Sequence, residues 1–60
     1  MLTLRIRTDN AAFDGDARAP ELARILRIAA TAIEHGTRGA PLRDINGNHV
    51  GRFDLTGKAR

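Results

Sequence analysis

The sequence predicts an α+β fold of β-α-β-β order, with one helix packed on a three-stranded sheet that closes with a C-terminal β-hairpin. Three observations predict it. Apolar residues recur at helical spacing from Pro20 to His35, apolar and polar residues alternate from Leu2 to Arg7, and an Asn46-Gly47 dipeptide separates two short apolar runs.

The helix is the segment around which the rest is organised. On a helical wheel, Ile25, Leu26, Ala29 and Ile33 fall within roughly 60° of Leu22 and form the expected core stripe. Arg24, Arg27, Thr31, Glu34 and His35 take the other side, and Ile28 and Ala32 lie on the flank beside Arg24. A flanking isoleucine can be the wide edge of a buried face or an intermolecular contact, and Ile28 is a candidate for either. Pro20 suits the first helical position, where a missing N–H costs nothing, and Gly36 suits the left-handed residue that ends a helix. Asp14, Asp16 and Glu21 at the start, and His35 and Arg38 at the end, agree in sign with the helix dipole.

Ahead of the helix, Leu2, Leu4 and Ile6 alternate with Thr3, Arg5 and Arg7, the period of a strand with one buried and one wet face. Arg5 and Arg7 therefore share a surface, either as a solvated outer face or as a binding surface. Thr8 to Ala19 is an irregular loop, in which Phe13 is expected to plug into the core because leaving its ring in water forgoes about 2 kcal/mol. Asp9, Asp14 and Asp16 lack the further spaced ligands of a calcium loop.

Beyond Gly36, strand two is expected over Leu42 to Ile45 and strand three over His49 to Leu55, joined by a type I′ turn at Asn46-Gly47. A two-residue turn there pairs Ile45 with Asn48, Asp44 with His49, Arg43 with Val50 and Leu42 with Gly51. Leu42, Phe53 and Leu55 then share one face while Ile45 and Val50 share the other. Either Gly51 marks a bulge that brings Val50 round to the core, or the hairpin is apolar on both faces and one of them meets another molecule. The helix stripe is expected to cover Leu2, Leu4, Ile6, Leu42, Phe53 and Leu55. The open sheet face is left with Thr3, Arg5, Arg7, Arg43 and Arg52. Residues 1–55 form the expected single domain, and 56–60 a disordered basic tail.

Sixty residues without a cysteine lie near the lower limit for a self-sufficient core, which at this size supplies about 3–5 kcal/mol. With no disulfide and no zinc motif to cross-link the chain, a partner subunit is the remaining common source of stability, and a homodimer is expected. The sheet edges, the open sheet face and the Ile28 flank are its candidate surfaces. No apolar run approaches the roughly 20 residues that span a bilayer, so neither a signal peptide nor a membrane contact is expected. The net charge of +3, carried by nine arginines and one lysine, permits a nucleic-acid or acidic protein partner but demands neither.

Enzyme chemistry is poorly represented. The chain has no Ser and no Cys, which leaves Thr and carboxylates as nucleophiles, and it contains no nucleophile elbow, Walker A or dinucleotide fingerprint. His49 opposite Asp44 is the one conceivable acid–base pair, although such pairs are common on surface hairpins. The stretch Asp44 to Asn48 fails as an EF-hand loop because its Gly comes two positions early and Leu55 stands where the bidentate Glu belongs. No catalytic residue, metal ligand or cofactor is expected. Arg5, Arg7, Arg43 and Arg52 could contact phosphates, but with both phenylalanines committed to the core the sheet has no platform for stacking bases.

Thr8-Asp9-Asn10-Ala11-Ala12-Phe13, a helix containing Ala23-Arg24-Ile25-Leu26-Arg27, and the late stretch Leu42 to Gly51 together resemble very short proteins carried by tailed phages and prophages. The likeness runs nearly the whole chain to Leu55 and includes the inhibitor type that counters the bacterial Hachiman defence. The resemblance implies a non-enzymatic, homodimeric protein in the cytoplasm of a bacterial host that binds a defence component; it carries over no catalytic residues. The residues expected to form the interaction surface are Arg5, Arg7, Arg24, Ile28, Arg43, Ile45, Val50 and Arg52. Nucleic-acid binding through the arginine face is the alternative.

Overall fold

The computed structural model describes residues 1–57. Strand β1 (Leu2–Ile6) leads through two single-turn 3-10 helices (Ala11–Phe13 and Gly15–Ala17) into helix α1 (Arg18–Glu34), which is followed by β2 (Gly39–Arg43) and β3 (His49–Leu55). The three strands form one antiparallel sheet in the order β1-β3-β2. The α+β class and the β-α-β-β order are those the sequence predicts. The longest strand sits in the centre, pairing Leu2 with Leu55 through Ile6 with Gly51 on one side, and Gly39 with Asp54 through Leu42 with Gly51 on the other.

The ladder decides which backbone groups remain at the edges. Met1 and Thr56 exchange main-chain hydrogen bonds of 2.7 and 2.9 Å, and Arg7 N–H donates to the Val50 carbonyl at 2.8 Å. Antiparallel pairing alternates, so Thr3 and Arg5 also bond inward while Leu2, Leu4 and Ile6 turn their N–H and C=O groups to the outer edge. On the other side, Leu55 N–H donates to the Arg38 carbonyl, which places Ala40 and Leu42 in bonded pairs and turns Gly39, Pro41 and Arg43 outward. Pro41 thus occupies a position where its missing N–H removes no bond to β3. That placement lets a Gly-Ala-Pro stretch begin strand β2, three residues ahead of the expected Leu42.

The hairpin resolves in favour of the bulge. Pairing steps from Leu42–Gly51 to Arg43–His49, which leaves Val50 as the extra residue on β3 and turns it inward. Val50 is 3% exposed and packs with Leu42, whereas Ile45 is 69% exposed. Gly51 is required at this point because a Cβ there would overlap the Arg5 carbonyl and crowd Ile6 Cα on β1.

The turn is not type I′. Gly47 has φ +85°, but among the described residues only glycines have positive φ, so Asn46 does not take the conformation that a type I′ turn requires. Instead the Asp44 carbonyl accepts Gly47 N–H at 3.0 Å, with Ile45 and Asn46 at the centre of the turn. Asp44 and Ile45 consequently leave the strand, and β2 ends at Arg43 rather than at Ile45.

Helix α1 starts two residues before the expected Pro20, because the 3-10 turn at Gly15–Ala17 feeds directly into it. Pro20 still lies in the first turn, where backbone donors have no partner inside the helix. At the other end Gly36 has φ +93°. Its N–H donates to the Ile33 carbonyl at 3.0 Å, and Thr37 N–H donates to the Ala32 carbonyl at 2.9 Å, the paired bonds of a Schellman cap.

Phe13, Ile25, Ala29, Leu42, Val50 and Phe53 form the core. Phe13 is fully buried, as the plug role requires. Two expected core residues are not buried: Leu26 is 47% exposed and Leu2 is 51% exposed. The buried face of α1 is centred on Glu21, Ile25 and Ala29 rather than on Leu22, a rotation that rolls Leu26 outward on one flank while Ile28, at 49%, stays half-exposed on the other. Of the expected tail, Thr56 is hydrogen-bonded to Met1 and the Gly57 carbonyl accepts Arg38 Nη2 at 2.7 Å; 58–60 lie outside the described residues.

Candidate interaction surface

Two buried carboxylates build the end of the molecule where the hairpin meets the helix. Glu21, in the first turn of α1, accepts Arg24 Nε at 2.7 Å and Arg24 Nη2 at 2.9 Å, a two-pronged pair, and its Oε2 also accepts the main-chain N–H of Ile45 at 2.7 Å. The Arg24 hydrogen bond holds the Glu21 carboxyl below its ordinary range; the Ile45 N–H adds to this and burial opposes it. The consequence for the surface is direct. Ile45 is fastened to the helix by its backbone while its side chain is left outside.

Asp44 is the second carboxylate, 4% exposed. Its Oδ1 accepts the N–H groups of Asn46 and Asn48, both at 2.9 Å, and its Oδ2 accepts Nδ2 of Asn10 at 2.9 Å and of Asn48 at 3.2 Å. Asn10 in turn caps the first 3-10 turn by accepting Ala12 N–H at 2.9 Å, so one side chain joins the hairpin turn to the loop that carries Phe13. Burial pushes the Asp44 carboxyl up, but the hydrogen bonds from Asn48, Asn46 and Asn10 outweigh it and hold the group below its ordinary range.

Both carboxylates therefore favour the fold when ionised. Depressed folded-state values mean that this stability is present in full above the unfolded carboxylate range and is lost as pH falls through and below about 4. Acid unfolding followed by circular dichroism is expected to begin near that range. Asp44→Asn should flatten the acid limb while lowering the Tm at pH 7 by about 10 °C, because an amide N–H₂ would face the donors of Asn10 and Asn48. A variant with unchanged Tm and an unchanged acid limb would contradict this role.

Between the helix and the hairpin lies a groove of about 400 Å³. Ile25 and Leu42 form its floor, Ile28, Pro41 and Ile45 its walls, and Arg24 and Arg43 stand at its rim. Beyond Ile28 the surface continues as a second hollow of about 490 Å³ over Arg27, Thr31 and Ala32. Of the eight residues expected to form one surface, Arg24, Ile28, Arg43 and Ile45 are thus brought together. Leaving the two isoleucines in water forgoes on the order of 2 kcal/mol of burial, a large amount for a domain of this size.

The other expected residues lie elsewhere. Arg5 stands directly opposite Arg52 on the open sheet face, and with Arg7 and His49 they border a shallow hollow of about 320 Å³. Arg52 is engaged bidentately by Asp54 at 2.8 Å, which neutralises part of that face and holds the Asp54 carboxyl below its ordinary range. Arg43 Nη1 also donates to the Gly47 carbonyl at 3.2 Å. Val50 belongs to the core and not to an interaction surface, because the bulge turns it inward.

The pair of His49 with Asp44 does not form. His49 stands across from Arg43, and the Asp44 carboxylate is taken by asparagines and backbone. Sequence reasoning missed the buried roles of Asp44 and Glu21. The signal for Asp44 was available, since Asp-x-Asn-Gly-Asn is the pattern of a side chain that caps its own turn. For Glu21 there was no comparable signal, because its partner Ile45 N–H is a backbone group 24 residues away.

No family model matches the chain, and no curated protein and no solved structure matches it. Among the described residues no helix is long and apolar enough to cross a membrane.

Proposed function

We propose that the chain is a small accessory protein of the phage or prophage type that works without catalysis, by binding another protein through the groove between Ile28 and Ile45. The observation that carries this reading is the way Glu21 fixes the Ile45 backbone while its side chain is held outward beside Ile28. Arg27 and Arg43 frame the apolar strip and Arg24 is offset by Glu21, so the fitting partner is a protein surface that presents an apolar side chain flanked by carboxylates. A component of a bacterial anti-phage defence, met in the host cytoplasm, is the class of target in keeping with the resemblance noted above.

The reading is tested by capture from host cells with matched variants. Ile28→Asp combined with Ile45→Asp should lose the partner while the chain keeps native circular dichroism at 25 °C, since neither side chain belongs to the core. Retention of the partner by the double variant would overturn the groove.

The open sheet face supports a second reading, contact with a nucleic-acid backbone, because Arg5, Arg7 and Arg52 share it and Asp54 offsets only one of them. This reading expects oligonucleotide affinity whose logarithm falls with log salt at a slope of about −2, and loss of that affinity in Arg5→Ala combined with Arg52→Ala. Capture of a protein partner by this arginine variant at parental yield would place the function in the groove instead.

A further inference from the structure

We infer that the outer edge of β1 is a self-recognition site, where a second copy of the chain adds its own β1 antiparallel to form a continuous six-stranded sheet. The two edges of the sheet are not alike. On β2 the outward residues are Gly39, Pro41 and Arg43, and Pro41 removes the donor from the middle of the row, a common way of blunting an edge. On β1 the outward residues are Leu2, Leu4 and Ile6, each with both its N–H and its C=O available to an incoming strand among the described residues.

The apolar residues left uncovered favour the same side. Ile28 lines the groove against β2, and Leu26 lies about 160° around the helix from it, on the flank turned away from β2. Leu26 and Leu2 are the two expected core residues that this chain leaves about half exposed. A neighbour docked at β1 supplies what is missing beside Leu2.

Charge selects the register. Pairing about Leu4 sets Leu4 against its own symmetry mate, Leu2 against Ile6 of the second copy, and Thr3 against its Arg5. Slipping the strands by two residues to centre on Arg5 would set two arginines directly opposite each other, which is destabilising. Only the even-numbered residues turn outward, so the Leu4-centred register also gives about six well-formed backbone hydrogen bonds across a two-fold axis normal to the sheet. Both helices then lie on one side of the dimer sheet and both arginine faces on the other.

This dimer belongs to the binding role proposed above, but it uses the flank opposite the groove, so each can fail alone. The test is the solution mass of the full chain by light scattering, together with variants at Thr3, an exposed residue paired with Asp54 within its own sheet. The parent should run at twice the 6.5 kDa chain mass in the micromolar range. Thr3→Lys should weaken the dimer about tenfold by facing Arg5 of the partner, although beside Asp54 it does not disturb the single chain; Thr3→Glu should strengthen the dimer about tenfold while lowering the Tm of the single chain, where it faces Asp54. A synthetic chain with an N-methyl group on Leu4, which keeps the side chain but blocks the central donor, should be monomeric with native circular dichroism. A monomeric parent would overturn the inference, as would a dimer that is indifferent to both Thr3 variants and to N-methylation.

Discussion

Gly51→Ala is expected to abolish the native fold. Gly51 lies next to the bulge and pairs with both neighbouring strands, with Ile6 on one side and Leu42 on the other. A Cβ there would overlap the Arg5 carbonyl and press on Ile6 Cα, and both obstacles are backbone, so no side-chain rotation relieves them. Relief requires β1 to move away from β3, which breaks the ladder that closes the chain ends through Met1 and Thr56. The cost is above about 4 kcal/mol and matches or exceeds the whole stability of a domain of this length. Far-UV circular dichroism and amide proton dispersion at 25 °C should show an unfolded chain. Gly47→Ala is the control: open space surrounds Gly47 and only its positive φ is strained, so that variant should fold with a loss of about 1 kcal/mol. If Gly51→Ala retained native dispersion, the close approach of β1 to the bulge would be wrong.

The second large effect is expected at Phe13. Its ring is fully buried although it belongs to a three-residue turn in the loop between β1 and α1, and it joins Ile25, Ala29 and Phe53 in the hydrophobic core. Phe→Ala at such a site costs about 3–5 kcal/mol through lost transfer energy and the cavity left behind. That range again equals the stability available, so Phe13→Ala should be largely unfolded at 37 °C, and Phe13→Leu should recover most of the loss. Urea titration of the Leu variant against the parent gives the difference. A midpoint for Phe13→Ala within the error of the parent would mean that the loop does not hold the core together.

What the sequence made legible follows from how local each signal is. The helix, its Gly36 cap, the alternation of β1 and the span of β3 rest on residues close together in the chain, and all were readable. Phe13 was readable for another reason: a lone large ring in a polar loop has few other places to go. The hairpin turn was misread because Asn46-Gly47 is the strongest local signal, yet Asp44 overrides it by accepting four hydrogen bonds, one of them from Asn10 in a distant loop. The same event moved β2 toward Gly39 and separated Ile45 from Val50. Leu26 and Leu2 were misplaced because a wheel gives spacing around the axis but not how far the helix rolls over the sheet, and here it rolls toward β2. Of the candidate surface, the residues were legible and their grouping was not. Arg24, Ile28, Arg43 and Ile45 converge only because a buried Glu21 ties the hairpin turn to the first turn of the helix.

The proposed role rests on one physical circumstance, that a domain with little stability to spare keeps Ile45 outside while holding its backbone fast. Photo-cross-linking from position 45, with a diazirine side chain in place of isoleucine and the same group at position 5 as comparison, tests it most directly in host cells. One dominant protein adduct is expected from position 45 and little from position 5. An adduct from position 5 alone, or nucleic acid recovered there and no protein from position 45, would contradict it.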